Sequence, residues 1–241
     1  MLEVARLNQI KVIYHLKGEL DLSDARDEAE LGHSVPGYPD IRALKPRKVS
    51  SLDRRLKTAV RDHLTLSYGF DSNSQAAFAI PKHATHWTRI RYLNGGDTVN
   101  AAEMYCRSER NRARDATFVK FSIEVDKNRN FRNLPVELRR CVAYGQLLHV
   151  LEVEIDFSSI SDDGKKWLLL AVIRPCRLES KNRLDMPYYY DDHFKPVVVV
   201  DADDVSCLVA RIPDRRPNKR LRWALYERPY AMGLGSEREV E

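Results

Sequence analysis

The sequence predicts an α+β chain that is mainly β: a distorted antiparallel β-barrel with an N-terminal helical extension. Three observations predict this. Residues 2–16 and 52–66 carry apolar side chains at helical spacing, whereas from Trp87 onward the apolar residues fall into short strand-like runs. Turn chemistry punctuates those runs, at Asn94-Gly95-Gly96-Asp97 and at Asp162-Asp163-Gly164. The helical segments precede the strands instead of alternating with them, which argues against a parallel βαβ sheet.

In chain order, Leu2, Leu7, Ile10, Ile13 or Tyr14 and Leu16 define a short amphipathic helix. Gly18 to Asp40 contains Gly32, Pro36, Gly37 and Pro39 and reads as a weakly structured linker. A second helix is expected over Leu52–Leu66, where Leu52, Leu56, Val60 and Leu64 recur every four residues; Ser50 or Ser51 would cap it and Gly69 would stop it. Strands follow at Thr88–Leu93, Thr117–Val125, Tyr144–Phe157, Lys166–Ile173, Pro196–Val200, Cys207–Ile212 and Leu221–Tyr226. The strand Trp167–Ile173 is apolar on both faces, so burial on both sides is expected. The expected division is a helical extension with linker over 1–70, a β-barrel domain over 87–228 and a tail over 229–241.

Composition narrows the class. The 241 residues are 43% apolar, with a mean hydropathy of −0.49, as in a globular protein with a polar skin. No apolar run reaches the roughly 18 residues a membrane helix needs, so no membrane partner is expected. The first residues, MLEVARLNQIKVIYHL, mix acid and base and lack a small-residue cleavage site, so no secretory signal is expected. Cys106, Cys141, Cys176 and Cys207 lie more than 30 residues apart, unlike the close pairs of zinc sites. A reducing compartment and small-core roles for Cys176 and Cys207 follow.

The net charge is +5, from 40 Lys+Arg against 35 Asp+Glu, and its distribution says more than its size. Residues 19–30 are acidic, whereas Arg42, Lys45, Arg47, Lys48, Arg54, Arg55, Lys57 and Arg61 crowd into 20 positions. Further clusters are Arg107, Arg110, Arg112 and Arg114, the stretch Lys127–Arg140, and Arg215, Arg216, Lys219 and Arg220. Most sit in polar segments and read as loops able to meet phosphate backbones.

Val197–Val205 (VVVVDADDV) matches the nucleophile strand of haloacid-dehalogenase-type phosphotransferases, but only 36 residues follow and none builds the required βα unit. Asp191, Asp192, Asp201, Asp203 and Asp204 are too confined to loops of a β region for a two-metal nuclease triad. His83 and His86 have H-x-x-H spacing, yet Pro81 and Trp87 favour an extended segment, where the pair would not chelate. No phosphate loop or nucleophile elbow is present. No catalytic group, metal or cofactor is therefore expected. The run Tyr188-Tyr189-Tyr190 with Asp191 and Asp192 reads as a recognition loop, able to cage a methylated lysine or stack on a base; packing of Tyr188 and Tyr189 at the barrel end is the competing reading.

Gly96-Asp97-Thr98-Val99, YGQLLHVLEVEI (144–155), KWLLLAVIRPCR (166–177) and VSCLVARI (205–212) together resemble the bromo-adjacent homology barrel. The runs Ala116–Phe121, Asn182–Tyr189, Val205–Arg211 and Trp223-Ala224 also resemble an accessory domain of fungal transposon-encoded proteins of the CACTA and Kyakuja–Dileera–Zisupton types. Ile173 stands where the chromatin readers carry an aromatic residue, and Cys176 where they carry an acid. The resemblance implies a non-enzymatic nuclear module of a transposon-derived protein that binds DNA or chromatin. Docking onto a transposase or chromatin protein, or reading a histone tail, are the alternatives.

Overall fold

The computed structural model describes residues 32–70, 79–93, 97–104, 115–128, 133, 135, 137–158, 160, 164–179, 186–214 and 220–227. The expected helix over 2–16, the tail over 229–241 and the Gly95-Gly96 corner lie outside them. Among the described residues are eleven strands and one α-helix. The strands are β1 (His33–Ser34), β2 (Ile41–Ser51), β3 (His83–Tyr92), β4 (Thr98–Asn100), β5 (Phe118–Asp126), β6 (Leu138–Asp156), β7 (Lys165–Pro175), β8 (Tyr188–Tyr190), β9 (Val198–Asp201), β10 (Val205–Asp214) and β11 (Arg222–Glu227). The helix, α1, spans Arg54–Tyr68 between β2 and β3.

All these strands form one mixed-length sheet, its main path running β1-β2-β3-β6-β5-β10-β11-β8, with β4 against β3 and β9 against the far side of β7. The pairs β2–β3, β3–β4, β3–β6, β5–β6, β5–β10, β6–β7, β7–β9, β8–β11 and β10–β11 are antiparallel. The chain is thus α+β and mainly β, as expected. The hydrogen-bonded path has ends at β1 and β8, so the sheet is open.

The 19-residue β6 organises the sheet. One of its edges pairs with β5 through residues 138–146 and with β3 through residues 150–152; the other pairs with β7 through residues 145–156. The changeover falls at a bulge between Leu147 and His149, which bends the strand. There the carbonyls of Leu147 and Leu148 accept from the amides of Ala102 and Glu103 at 2.8 and 3.1 Å, replacing the partner that β5 no longer supplies.

Alternation in β6 and β7 feeds two cores. Leu147, Val150, Leu169, Ala171 and Ile173 face a first core shared with Ile41, Trp87, Ile90, Val119 and Phe121. Leu151, Val153, Ile155, Leu168, Leu170 and Val172 face a second, covered by Val60 and Leu64 of α1. The two-sided burial expected of Trp167–Ile173 holds from Leu168 onward; Trp167 itself is half-exposed at the strand's start. A third core gathers Phe118, Cys176, Tyr189, Cys207, Val209 and Leu225. Cys176 and Cys207 serve there as small apolar side chains, and burial pushes their thiols up to about 12 and about 11.

Two expectations need correction. The N-cap of α1 is Asp53, whose carboxylate accepts from the Leu56 amide at 2.7 Å, because Ser50 and Ser51 are taken up as the last residues of β2. Gly69 ends the helix in the left-handed region, φ 70°, as expected. The basic stretch from Arg42 to Lys48 is a strand, not a loop. Its Ile41, Ala43 and Leu44 are buried, and Pro46, which has no amide to donate, sits where the ladder with β3 shifts register. The carbonyls of Pro46 and Lys45 accept instead from the Thr88 hydroxyl at 2.5 Å and the Arg89 guanidinium at 2.9 Å. Strand and helix upstream of Trp87 therefore belong to the same compact unit, Ser34–Glu241, as the later strands.

Three substitutions test this packing. A Cβ on Gly145 would lie 2.6 Å from Ile173 Cγ2 and 2.8 Å from the Arg174 carbonyl, so Gly145→Ala is expected to cost about 1–3 kcal/mol in urea unfolding. Leu169→Asp and Leu170→Asp each put an unpaired carboxylate into a different core and should each abolish the cooperative transition. A Gly145→Ala protein as stable as wild type would contradict the close β6–β7 approach.

Candidate nucleic-acid interface

Positive charge on ordered elements collects along β2 and α1. The second half of β2 leaves the core, so Lys45, Arg47 and Lys48 are exposed; Arg47 lies over the Trp87 ring at 5.7 Å. The chain then enters α1, where Arg54, Arg55 and Lys57 are exposed and Arg61 half-buried. Positions 54, 57, 58 and 61 share one helix face. That face, with Leu52, Ile80 and Lys82, lines a groove of about 660 Å³. Arg61 is held by Asp62 at 3.1 Å; among the described residues no ion pair ties Arg54, Lys57 or Lys82 to a carboxylate. The stretch 42–61 stood out in the sequence as basic and its second half as helical, but the strand that carries its first half did not. Lys82 joins from 21 positions beyond Arg61, with no local signal to connect it.

The residues singled out for binding fare differently. Arg107, Arg110, Arg112, Arg114, Arg215, Arg216 and Lys219 lie outside the described residues. Arg220 is exposed, and its guanidinium meets Asp192 at 2.9 Å and His193 Nε2 at 2.9 Å. Such a surface ion pair is weak and can be exchanged for a phosphate.

The tyrosine run is corrected from loop to strand: Tyr188, Tyr189 and Tyr190 are β8, paired with Ala224, Trp223 and Arg222 of β11. Tyr188 and Tyr190 share one face, in edge contact at 6.0 Å, and Arg222 lies 4.4 Å over Tyr188. Tyr189 points the other way into the third core and is fully buried. Its hydroxyl accepts from Arg211 at 2.9 Å. The Arg211 guanidinium is sandwiched between Phe118 at 4.0 Å and Trp223 at 4.5 Å, and its other nitrogen pairs with Asp115. An aromatic box does exist at this end of the sheet, and the chain's own arginine fills it. Nothing in the spacing of Val205–Arg211 marked Arg211 out, because its partners come from β5, β8 and β11.

The aspartates of VVVVDADDV are structural ties. Asp201 ends β9 and accepts from the Tyr38 and Tyr68 hydroxyls at 2.7 and 3.1 Å, and from the Asp203 amide at 3.1 Å. Asp204 meets Arg140 at 2.7 Å. Burial and the neighbouring carboxylates hold Asp203 above its usual range, as burial chiefly does Asp204. β9 lies antiparallel to β7, whereas the dehalogenase motif requires a parallel sheet. His83 and His86 are on a strand, so their odd spacing puts them on opposite faces: His83 is exposed and His86 buried. His86 instead meets His149 of β6, ring to ring at 5.7 Å. Among the described residues no three metal-ligating side chains converge.

Burial lowers the pKa of His63, His86 and His149; repulsion by His149 and Lys48 lowers that of His86 further. Below about pH 6.5 the unfolded chain takes up protons that the folded rings refuse. Stability should therefore be full above that pH and fall as pH drops through it toward the depressed folded values. The melting temperature is expected to decline between about pH 7.5 and 5.5, with a shallower decline in His149→Gln. An equal slope in that variant would show that this histidine does not drive the effect. Protein-family models, curated proteins and solved structures provide no match to this chain.

Proposed function

We propose that the chain is a non-catalytic nucleic-acid- or chromatin-binding module of bromo-adjacent homology type, part of a transposon-derived protein acting in the nucleus. The observation that carries this reading is the run of cations on rigid elements: Lys45, Arg47 and Lys48 on β2, leading into Arg54, Arg55, Lys57 and Arg61 on α1. Charge carried on a strand and a helix needs no backbone ordering when a phosphate backbone arrives, so less of the attraction is lost to conformational entropy. The barrel class belongs to the same proposal. It is supported by the shared first core under β3, β5, β6, β7 and β9 and by the sequence resemblance. Docking onto another protein remains the second reading, favoured by the exposed Val125, Leu138 and Val142 on the β5–β6 ribbon.

The test is binding of the full chain to a random-sequence DNA duplex between about 50 and 200 mM salt, with an acidic protein as charge control. Affinity should fall log-linearly with salt, and Lys45→Gln with Lys48→Gln should reduce the slope by about 0.9 per lost phosphate contact. Neutralising Arg215, Arg216, Lys219 and Arg220 together should weaken binding uniformly across sequences. Absence of DNA affinity at low salt would remove this reading and bring docking forward.

A further inference from the structure

We infer that the groove on α1 seats consecutive phosphates of a nucleic-acid strand, the point at which the surface proposed above grips its ligand. The inference rests on that reading and adds where, and by what chemistry, the ligand is held. Four cations converge on one concavity: Arg54, Lys57 and Arg61 from the helix and Lys82 from the segment entering β3. One phosphodiester carries a single negative charge and would leave most of them unbalanced. From position 54 to 61 the helix rises about 10 Å, longer than a single phosphate group. The groove therefore offers charge along a line, not at a point.

Its floor is Leu52, buried, and Ile80, half-buried. Aliphatic carbon suits the face of a sugar lying between two phosphates. Among the described residues no aromatic side chain lines the groove, so the contact these residues make is to the backbone, not to bases. The volume of about 660 Å³ holds more than an isolated phosphate. Among the described residues Arg54 and Lys57 face it without a carboxylate partner, and Arg61 need only exchange Asp62.

The experiment measures binding of the full chain to a fluorescent thymidine oligonucleotide across salt. It compares wild type, Lys57→Gln/Lys82→Gln, and a charge-matched control, Arg177→Gln/Lys195→Gln, whose exposed cations lie outside the groove. All four positions are exposed, and melting temperatures confirm that each variant folds. The groove variant is expected to bind about tenfold more weakly near 50 mM salt, with its salt slope reduced by about 0.7 for each of two lost contacts. The control should keep the wild-type slope. Wild-type binding with equal losses in both variants, or an unchanged slope in the groove variant, overturns the groove assignment while leaving the binding reading in place. Equal competition by polyglutamate overturns it too, since the groove would then take any polyanion. No binding of this oligonucleotide by wild type overturns the groove assignment, and the duplex titration described above decides the underlying reading separately.

Discussion

Everything described hangs on one pair of strands. β6 and β7 are hydrogen-bonded over residues 145–156 and 165–175, and each face of the pair belongs to a different core. The first core needs Leu169, Ala171 and Ile173; the second needs Leu168, Leu170 and Val172. Neither can form without the other, because the same backbone must be in register for both. This constraint explains why Gly145 admits no side chain: β7 crosses at Ile173 and Arg174 too closely for one. It also positions α1, whose Val60 and Leu64 lie on the outer face while its cations look outward.

Polar contacts finish what the apolar cores begin. Asp201 collects the hydroxyls of Tyr38, which precedes β2, and of Tyr68, which ends α1, so three segments far apart in sequence share one carboxylate. Arg211 does the same for the third core, tying Asp115, Phe118, Tyr189 and Trp223 around one guanidinium. A cation held among rings is stable only when its charge is answered, and Asp115 answers this one. Tyr189 and Asp115 take two of its nitrogens, and its buried Nε has no hydrogen-bond partner among the described residues. Lys120 and Tyr144 converge likewise on Glu227, fastening β11 across β5 and β6.

Much of the frame was legible because local chemistry and tertiary packing agree there. α1 has its four-residue apolar spacing and its terminal Gly69, and β7 has a continuous apolar run matching its two buried faces. β2 was illegible because only Ile41, Ala43 and Leu44 face inward; five exposed residues, Lys45, Pro46, Arg47, Lys48 and Val49, then erase the alternation. β8 was hidden by its length, three residues whose strand character comes entirely from β11. The candidate site was half-visible. Its helix cations lie close in sequence, but a groove is a property of packing, and Lys82 reaches it only because β3 starts beside α1. The filled aromatic box was beyond reach, since four segments build it.

The placement of β2 has a consequence for colloidal behaviour. Among the described residues its outer edge is met by only the two residues of β1, so much of an 11-residue strand is an edge of the described sheet. An edge like this invites another chain to add a strand and so to aggregate. Lys45, Pro46, Arg47 and Lys48, together with the register shift beside them, are the devices that discourage such growth. The side chains proposed to attract a polyanion thus also keep copies of the chain apart. A drift of that edge toward apolar β-branched residues would remove its protection against strand addition.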